Sequence, residues 1–249
     1  MNNSFSDFQK IHIQQTTSTN CHLLELSIKE RLPEGSVVVT DNQTHGRGHS
    51  GNAWESESGS NLTFSIILYP LSIKASGQFI LSKAISLAVY DFISEIISNV
   101  VTVKWPNDVY VNDKKISGIL IENFLEGEYL TKSIVGIGVN INQKKFVSNA
   151  PNPVSLRQLT EKTYALDDCL KTLHTFIMDR YRMMQEEVNK LNLDYLQNLY
   201  RFGRLSRYNA GRISFDAVIS GIDHYGLLEL TTATGERKTF GFKEIDFAI

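Results

Sequence analysis

The chain carries only two cysteines in 249 residues, Cys21 and Cys169. They are far apart and each falls in a helix-like pattern, so neither a disulfide framework nor a zinc site is expected, and buried thiols are the ordinary reading. No apolar stretch approaches the roughly 20 residues needed to span a bilayer, and the opening MNNSFSDFQK lacks the basic start and apolar core of a secretory signal. A cytoplasmic protein is the expectation. Charge of one sign is missing too: 25 Lys and Arg against 27 Asp and Glu leave a net of -2, which argues against holding nucleic acid through the whole surface. There is no internal repeat, no His-Glu-x-x-His, no paired cysteines and no nucleophile beside a base, so covalent and zinc chemistry have little support. With 42% hydrophobic and 21% charged residues, the composition excludes collagenous, low-complexity and acidic-tail classes.

What is there reads as strands and helices in an α+β order. Residues 10–14 alternate as a strand. Thr17, Ser18 and Thr19 then offer hydroxyl caps to a helix through Leu23, Leu24, Ile28 and Leu32. Val37 to Val39 and Leu62 to Tyr69 read as strands, and the loop between them is rich in Gly, Ser and Asn, of a length usual for functional lids. A wide apolar arc predicts a buried helix over 76–98, followed by strands at 101–105, 109–111, 116–124 and 133–139. Helical spacing returns from Leu166 to about Asn189 and through Leu193, Leu196 and Leu199. Short strands at 212–221, 227–232 and 237–242 then predict a small C-terminal β-barrel.

Three segments carry chemistry. Gly46-Arg47-Gly48-His49-Ser50-Gly51 satisfies G-x-G-x-x-G, but no helix opens after it and no acidic residue falls between Glu57 and Asp91, so a Rossmann fingerprint is rejected. Its glycines are expected to expose backbone N–H groups as an anion nest, with Arg47 adding a bidentate fork. In Lys104-Trp105-Pro106-Asn107-Asp108 a proline fixes a corner and presents an amide and a carboxylate, which could equally be turn formers. On the next hairpin Lys115 and Gly118 would let an anion approach the backbone. Gly136-Ile137-Gly138-Val139-Asn140-Ile141-Asn142 ends a strand with Asn140 and Asn142 on one face, expected to line a pocket.

Together Ser18-Thr19-Asn20, Gln43 with Gly46-Arg47-Gly48 and Trp54, Lys104 to Asp108, Lys115 to Gly118 with Ile119-Leu120, and Gly136 to Asn142 resemble biotin protein ligases in order and spacing. The resemblance implies a mixed sheet packed with helices, like that of class II aminoacyl-tRNA synthetases, over 1–203, and an SH3-like β-barrel over 204–249. It implies a ligase that uses ATP, with Mg²⁺ carried on the ATP phosphates and no protein metal site, to convert biotin to biotinyl-5'-AMP. The biotin then passes to a lysine of a biotin carboxyl carrier protein. Arg47, Lys115, Lys104 and Asp108 would be catalytic. Ser18, Thr19, Asn20, Gln43, Gly46, Arg47, Gly48, Trp54, Asn107, Lys115, Gly118 and Asn140 would bind biotin or nucleotide. His49 and Asn52 stand where the best-known pattern has arginines, which implies a weaker grip on the adenylate. Only 17 residues precede Ser18, too few for the helix-turn-helix domain of the repressor members. The expectation is therefore a monofunctional form that binds neither DNA nor membrane, with a homodimer left open. The rivals are a lipoate or octanoate transferase, for which no Arg-Arg-x-x-Gly-Gly-Gly run is present, a biotin-sensing repressor, and an inactive binding module.

Overall fold

A computed structural model describes residues 8–48, 51–147 and 152–248. The chain begins with a β-α-β unit: β1 (Lys10–Thr16), α1 (Thr19–Lys29) and β2 (Val37–Gln43), the two strands parallel. β3 (Leu62–Leu68) follows, then a 3₁₀ turn (Ala75–Gly77) and α2 (Phe79–Ile96). Next come β4 (Val101–Lys104), β5 (Asp108–Val111), β6 (Lys114–Glu126) and β7 (Tyr129–Val139). The seven strands make one mixed sheet in the order β1-β2-β3-β7-β6-β5-β4, antiparallel except at β1–β2.

Strand alternation sorts the side chains between two faces. Phe64, Ile66 and Leu68 of β3, with Val135, Ile137 and Val139 of β7, enter the large core beneath α2, α4 (Leu166–Glu186) and α5 (Val188–Gln197). Ile67, with Val38 and Ile134, turns the other way and buries Leu23 of α1. β3 is buried along its whole length because helices cover both of its faces. Arg180 of α4 fastens the helical layer, bonding Asp91 of α2 at 2.6 and 3.0 Å and Asp194 of α5 at 2.6 Å.

The hydroxyl caps expected for α1 are not made: Ser18 is the N-cap residue, but its side chain forms no capping bond. A short helix absent from the sequence reading, α3 (Leu156–Thr160), has a complete capping box between Ser155 and Gln158.

The last strands are β8 (Leu205–Ala210), β9 (Ile213–Ile222), β10 (Leu228–Thr232), β11 (Arg237–Phe240) and β12 (Asp246–Phe247). They form an antiparallel SH3-like sheet in the order β11-β10-β9-β8-β12, left open between β11 and β12. Its Tyr208, Ile219, Leu228 and Leu230 belong to the same core as the main sheet. A buried bond of 2.8 Å from the Trp105 indole to the Gly226 carbonyl joins the two.

His174 gives this packing a pH signature. It is buried, shares a 2.9 Å bond with the Gly35 carbonyl and stacks on Phe8 at 3.7 Å. Burial holds its pKa below the usual 6.5, against a smaller opposing pull from the Gly35 bond. The unfolded chain therefore takes up a proton that the folded chain refuses, and stability present above about pH 6.5 is lost as pH falls below it. Thermal melts of the native chain and of His174→Gln should show a native-specific loss between pH 7 and 5; parallel pH profiles would refute the assignment.

Candidate functional site

The cleft is built from sheet register. Residues paired across antiparallel strands share a face, and one row reads Thr63, Gly138, Gly118, Asp108, Lys104 across five strands. The row beside it holds Ser65, Gly136 and Leu120. Both rows lie on the face turned away from the main helical core. Glycines at 118, 136 and 138 leave a floor without side chains. The Trp54 indole lies across Gly118 and Gly138, and Asn20 occupies the space above Gly136.

Lys115 reaches this face through an irregularity. Ser117 pairs with Val109 but Lys115 pairs with Tyr110, which leaves Ile116 as an extra residue in β6. Ile116 joins the helix-side core, and Lys115 turns into the cleft, where its ammonium is 2.7 Å from Asp108 and 5.8 Å from the Trp54 ring. A β-bulge has re-aimed one side chain.

Lys104 stands at the end of the row in an aromatic setting. Its ammonium donates to the Tyr110 hydroxyl at 3.1 Å and lies 4.6 Å from the Tyr110 ring and 5.1 Å from Phe247. Burial lowers its pKa, and the nearby Asp108 carboxylate partly offsets that shift. Beside it, Trp105 and Pro106 are joined by a cis peptide, and the Asn107 amide donates to the Ile119 carbonyl at 2.7 Å.

Opposite, the start of α1 supplies a polar network. Gln43 accepts from the Thr19 backbone at 2.8 Å, and Ser65 Oγ lies 2.7 Å from Thr19 Oγ1 and 2.6 Å from Asn20 Oδ1. Asn20 donates to Glu122 at 2.7 Å, and Glu122 holds the Arg47 guanidinium at 2.9 and 3.0 Å. Ser18, whose side chain makes no capping bond, lines the cleft.

The resulting cleft measures about 360 Å³ and is lined by Ser18, Thr19, Asn20, Gln43, Arg47, Gly48, Trp54, Lys104, Asn107, Asp108, Lys115 and Gly118, all expected from the sequence. Two expected residues are not on its wall. Gly46 lies under the Trp54 backbone, where a Cβ would come within 2.6 Å of the Trp54 carbonyl. Asn140 spends its amide on the Val154 carbonyl at 3.1 Å, and Asn142 exchanges two bonds with Tyr164, so this pair anchors a loop.

The nest reading also changes: the Gly48 N–H is spent on the Asn52 carbonyl, and Arg47 forms an antiparallel bridge with Ala53, so the Gly48 N–H is not free to meet an anion. His49 lies outside the described residues. The sequence reading missed Glu122, although it falls in step with Gly118 and Leu120 by strand alternation. It also missed Phe242, Ile245, Asp246 and Phe247 of the C-terminal part, which close the cleft beside Lys104.

Among the described residues no three His, Cys, Asp or Glu side chains gather to hold a metal, and Asp108 is already paired with Lys115. No described helix is long and apolar enough to cross a membrane.

Fold and cleft together define a two-part α+β protein with a small-molecule site whose glycine floor is bordered by three cations, Arg47, Lys104 and Lys115. The chain belongs to the biotin/lipoate A/B protein ligase family, whose model matches residues 12–140. It is 31% identical over 215 residues to the bifunctional ligase/repressor BirA of Bacillus subtilis, an alignment covering 84% of this chain and 65% of that protein. It is 27% identical to the biotin–[acetyl-CoA-carboxylase] ligase of Paracoccus denitrificans, covering 90% of this chain and 95% of that one. Among solved structures, it superposes on a biotin protein ligase from Aquifex aeolicus in complex with biotin and ATP with a TM-score of 0.78. That match has 26% identity and covers 96% of this chain and 98% of the other.

Proposed function

We propose that this chain condenses biotin with ATP to biotinyl-5'-AMP and passes the biotinyl group to a lysine of a carrier protein or domain of a biotin-dependent carboxylase. The observation that carries the reading is the alignment of Arg47, Lys104 and Lys115 along one glycine-floored cleft. Two anions that repel each other must meet there. A biotin carboxylate oxygen attacks the α-phosphorus of ATP, the bond to the β-phosphate oxygen breaks, and pyrophosphate leaves. The carrier amine then attacks the acyl carbon, loses a proton and displaces AMP as the amide forms. Positioning and neutralisation of charge are the protein's contribution. The names of the relatives support biotin as the acid. Mg²⁺ belongs to this reading as a companion of the ATP phosphates, and no step is assigned to it.

In this scheme Lys115 and Arg47 meet the reacting carboxylate and phosphate, and Lys104, with Asn107 beside it, takes the nucleotide phosphates. Trp54 covers the intermediate against water. Ser18, Thr19 and Gln43 bind biotin. Residues 1–203 form the catalytic part and 204–249 an SH3-like part that completes the nucleotide end through Asp246 and Phe247. We place the reaction in the cytoplasm and without a DNA partner.

Pyrophosphate release from ATP should depend on biotin and not on lipoate or octanoate, and labelled biotin should appear on a carrier domain when one is added. Release driven equally by lipoate would move the chain to the lipoate branch of its family. Arg47, half-exposed and leaning on Glu122, must leave that carboxylate to meet an anion. Arg47→Ala should therefore slow biotin-dependent pyrophosphate release about 10-fold, the loss of one partly screened charged contact. An unchanged rate would remove Arg47 from the site.

A further inference from the structure

A second cavity of about 510 Å³ lies between α2, α5 and the turn after β9, and shares no lining residue with the cleft. Its walls are apolar at Ile73, Ile80, Met184, Val188, Leu196 and Ile222. At its edge stands Lys83, one turn into α2 and 8% exposed. A buried ammonium has three N–H groups to satisfy and normally faces a carboxylate. Lys83 has one bond, of 2.8 Å, to the Asn192 side-chain oxygen, and lies 5.9 and 5.7 Å from the Phe79 and Tyr195 rings. No carboxylate among the described residues is at ion-pair distance from it. Asp223, the acid that acts on it electrostatically, commits Oδ1 to the Tyr225 and Leu227 backbone N–H groups at 2.9 and 2.8 Å. The Tyr195 hydroxyl is buried without a partner.

We propose that this cavity binds a small monocarboxylate with a hydrocarbon body, its carboxylate taken by the Lys83 ammonium and the Asn192 amide N–H and its chain laid along the apolar walls. Of the two lysines on the wall only Lys83 lacks an ion pair, because Lys74 is paired with Glu128 at 3.1 Å, and the one carboxylate there, Asp223, is engaged by backbone N–H groups. One anionic group and an apolar remainder fit this distribution. A phosphate would meet the cation but leave the walls empty.

Octanoate serves as the probe, titrated by calorimetry into three forms of the full chain: native, Lys83→Met, and an Arg47→Ala/Lys115→Ala double variant that disarms the cleft. Native and double variant should bind one equivalent alike, and Lys83→Met should bind at least about tenfold more weakly, the loss of one charge-assisted contact. Replacing a poorly paired buried cation by an uncharged thioether chain should leave the melting temperature equal or higher, so weak binding by Lys83→Met cannot be laid to unfolding. Equal affinity in Lys83→Met overturns the proposal. So does loss of binding in the double variant, which places the octanoate in the cleft, absence of binding up to millimolar octanoate, or inorganic phosphate binding as tightly as octanoate.

Discussion

Lys115→Met is expected to lose about 100-fold in kcat/KM for biotin-dependent pyrophosphate release while the chain stays folded. The substitution keeps the length of the side chain and removes its charge from a position only 23% exposed, so solvent screens the loss less than at Arg47. A charged hydrogen bond of this kind contributes about 1.5 to 3 kcal/mol, which spans roughly 10- to 150-fold in rate. Asp108 adds to the effect, because without its 2.7 Å partner it confronts the incoming anions uncompensated. Lys115→Arg should recover little, since a planar guanidinium is broader than the space the ammonium fills beside Trp54 and Gly118. Steady-state rates over a biotin titration, with melting curves on the same samples, decide the matter. A loss under threefold would remove Lys115 from the chemistry.

The second large effect is expected at the floor. A Cβ on Gly138 would overlap the Trp54 indole at Cε2 and Cζ2 and come within 2.6 Å of Nε1. The indole nitrogen is buried without a hydrogen-bond partner, so packing and the Lys115 ammonium over the ring, not a hydrogen bond, keep it in place. Gly138→Ala should therefore displace the ring and leave β7 intact. The overpacking is expected to cost about 1 to 3 kcal/mol at most in stability, whereas KM for biotin should rise by about 5- to 30-fold, as about one to two kcal/mol of binding is lost. A double-mutant cycle isolates the cause: in a Trp54→Ala background the three nearest contacts of the added methyl are gone and it should change KM little. Additive effects of the two substitutions would show that Gly138 acts through something other than Trp54.

The sequence was most legible where one periodicity dominated. The buried arc of α2 and the alternation of β6 and β7 placed those elements within a few residues of their observed ends. It was least legible where elements are short and lean on others. β8 carries Ser, Arg and Asn and has little buried surface of its own, and β12 is two residues long. α3 was marked by Ser155 and Gln158 at capping-box spacing, a signal overlooked because only five helical residues follow. In the site, residues beside glycines on strands were readable because strand alternation is local. Phe242, Ile245, Asp246 and Phe247 were not, since only the tertiary docking of the C-terminal sheet brings them to Lys104. Asn140 misled for the opposite reason. It stands just past the end of β7, where alternation no longer says which way a side chain faces.

The extra residue at Ile116 makes the cleft depend on counting. Deleting Lys115 would restore regular pairing and bring Ile116 opposite Tyr110 on the cleft face, whereas deleting Ile116 would restore it with Lys115 still opposite Tyr110. The first deletion sets an isoleucine where the cation stands, and the second keeps the cation but takes a side chain from the helical core. For this stretch the outcome of a one-residue deletion therefore depends on which residue is lost. In any comparison of such chains, a gap placed here by sequence matching alone would pair residues that point in opposite directions.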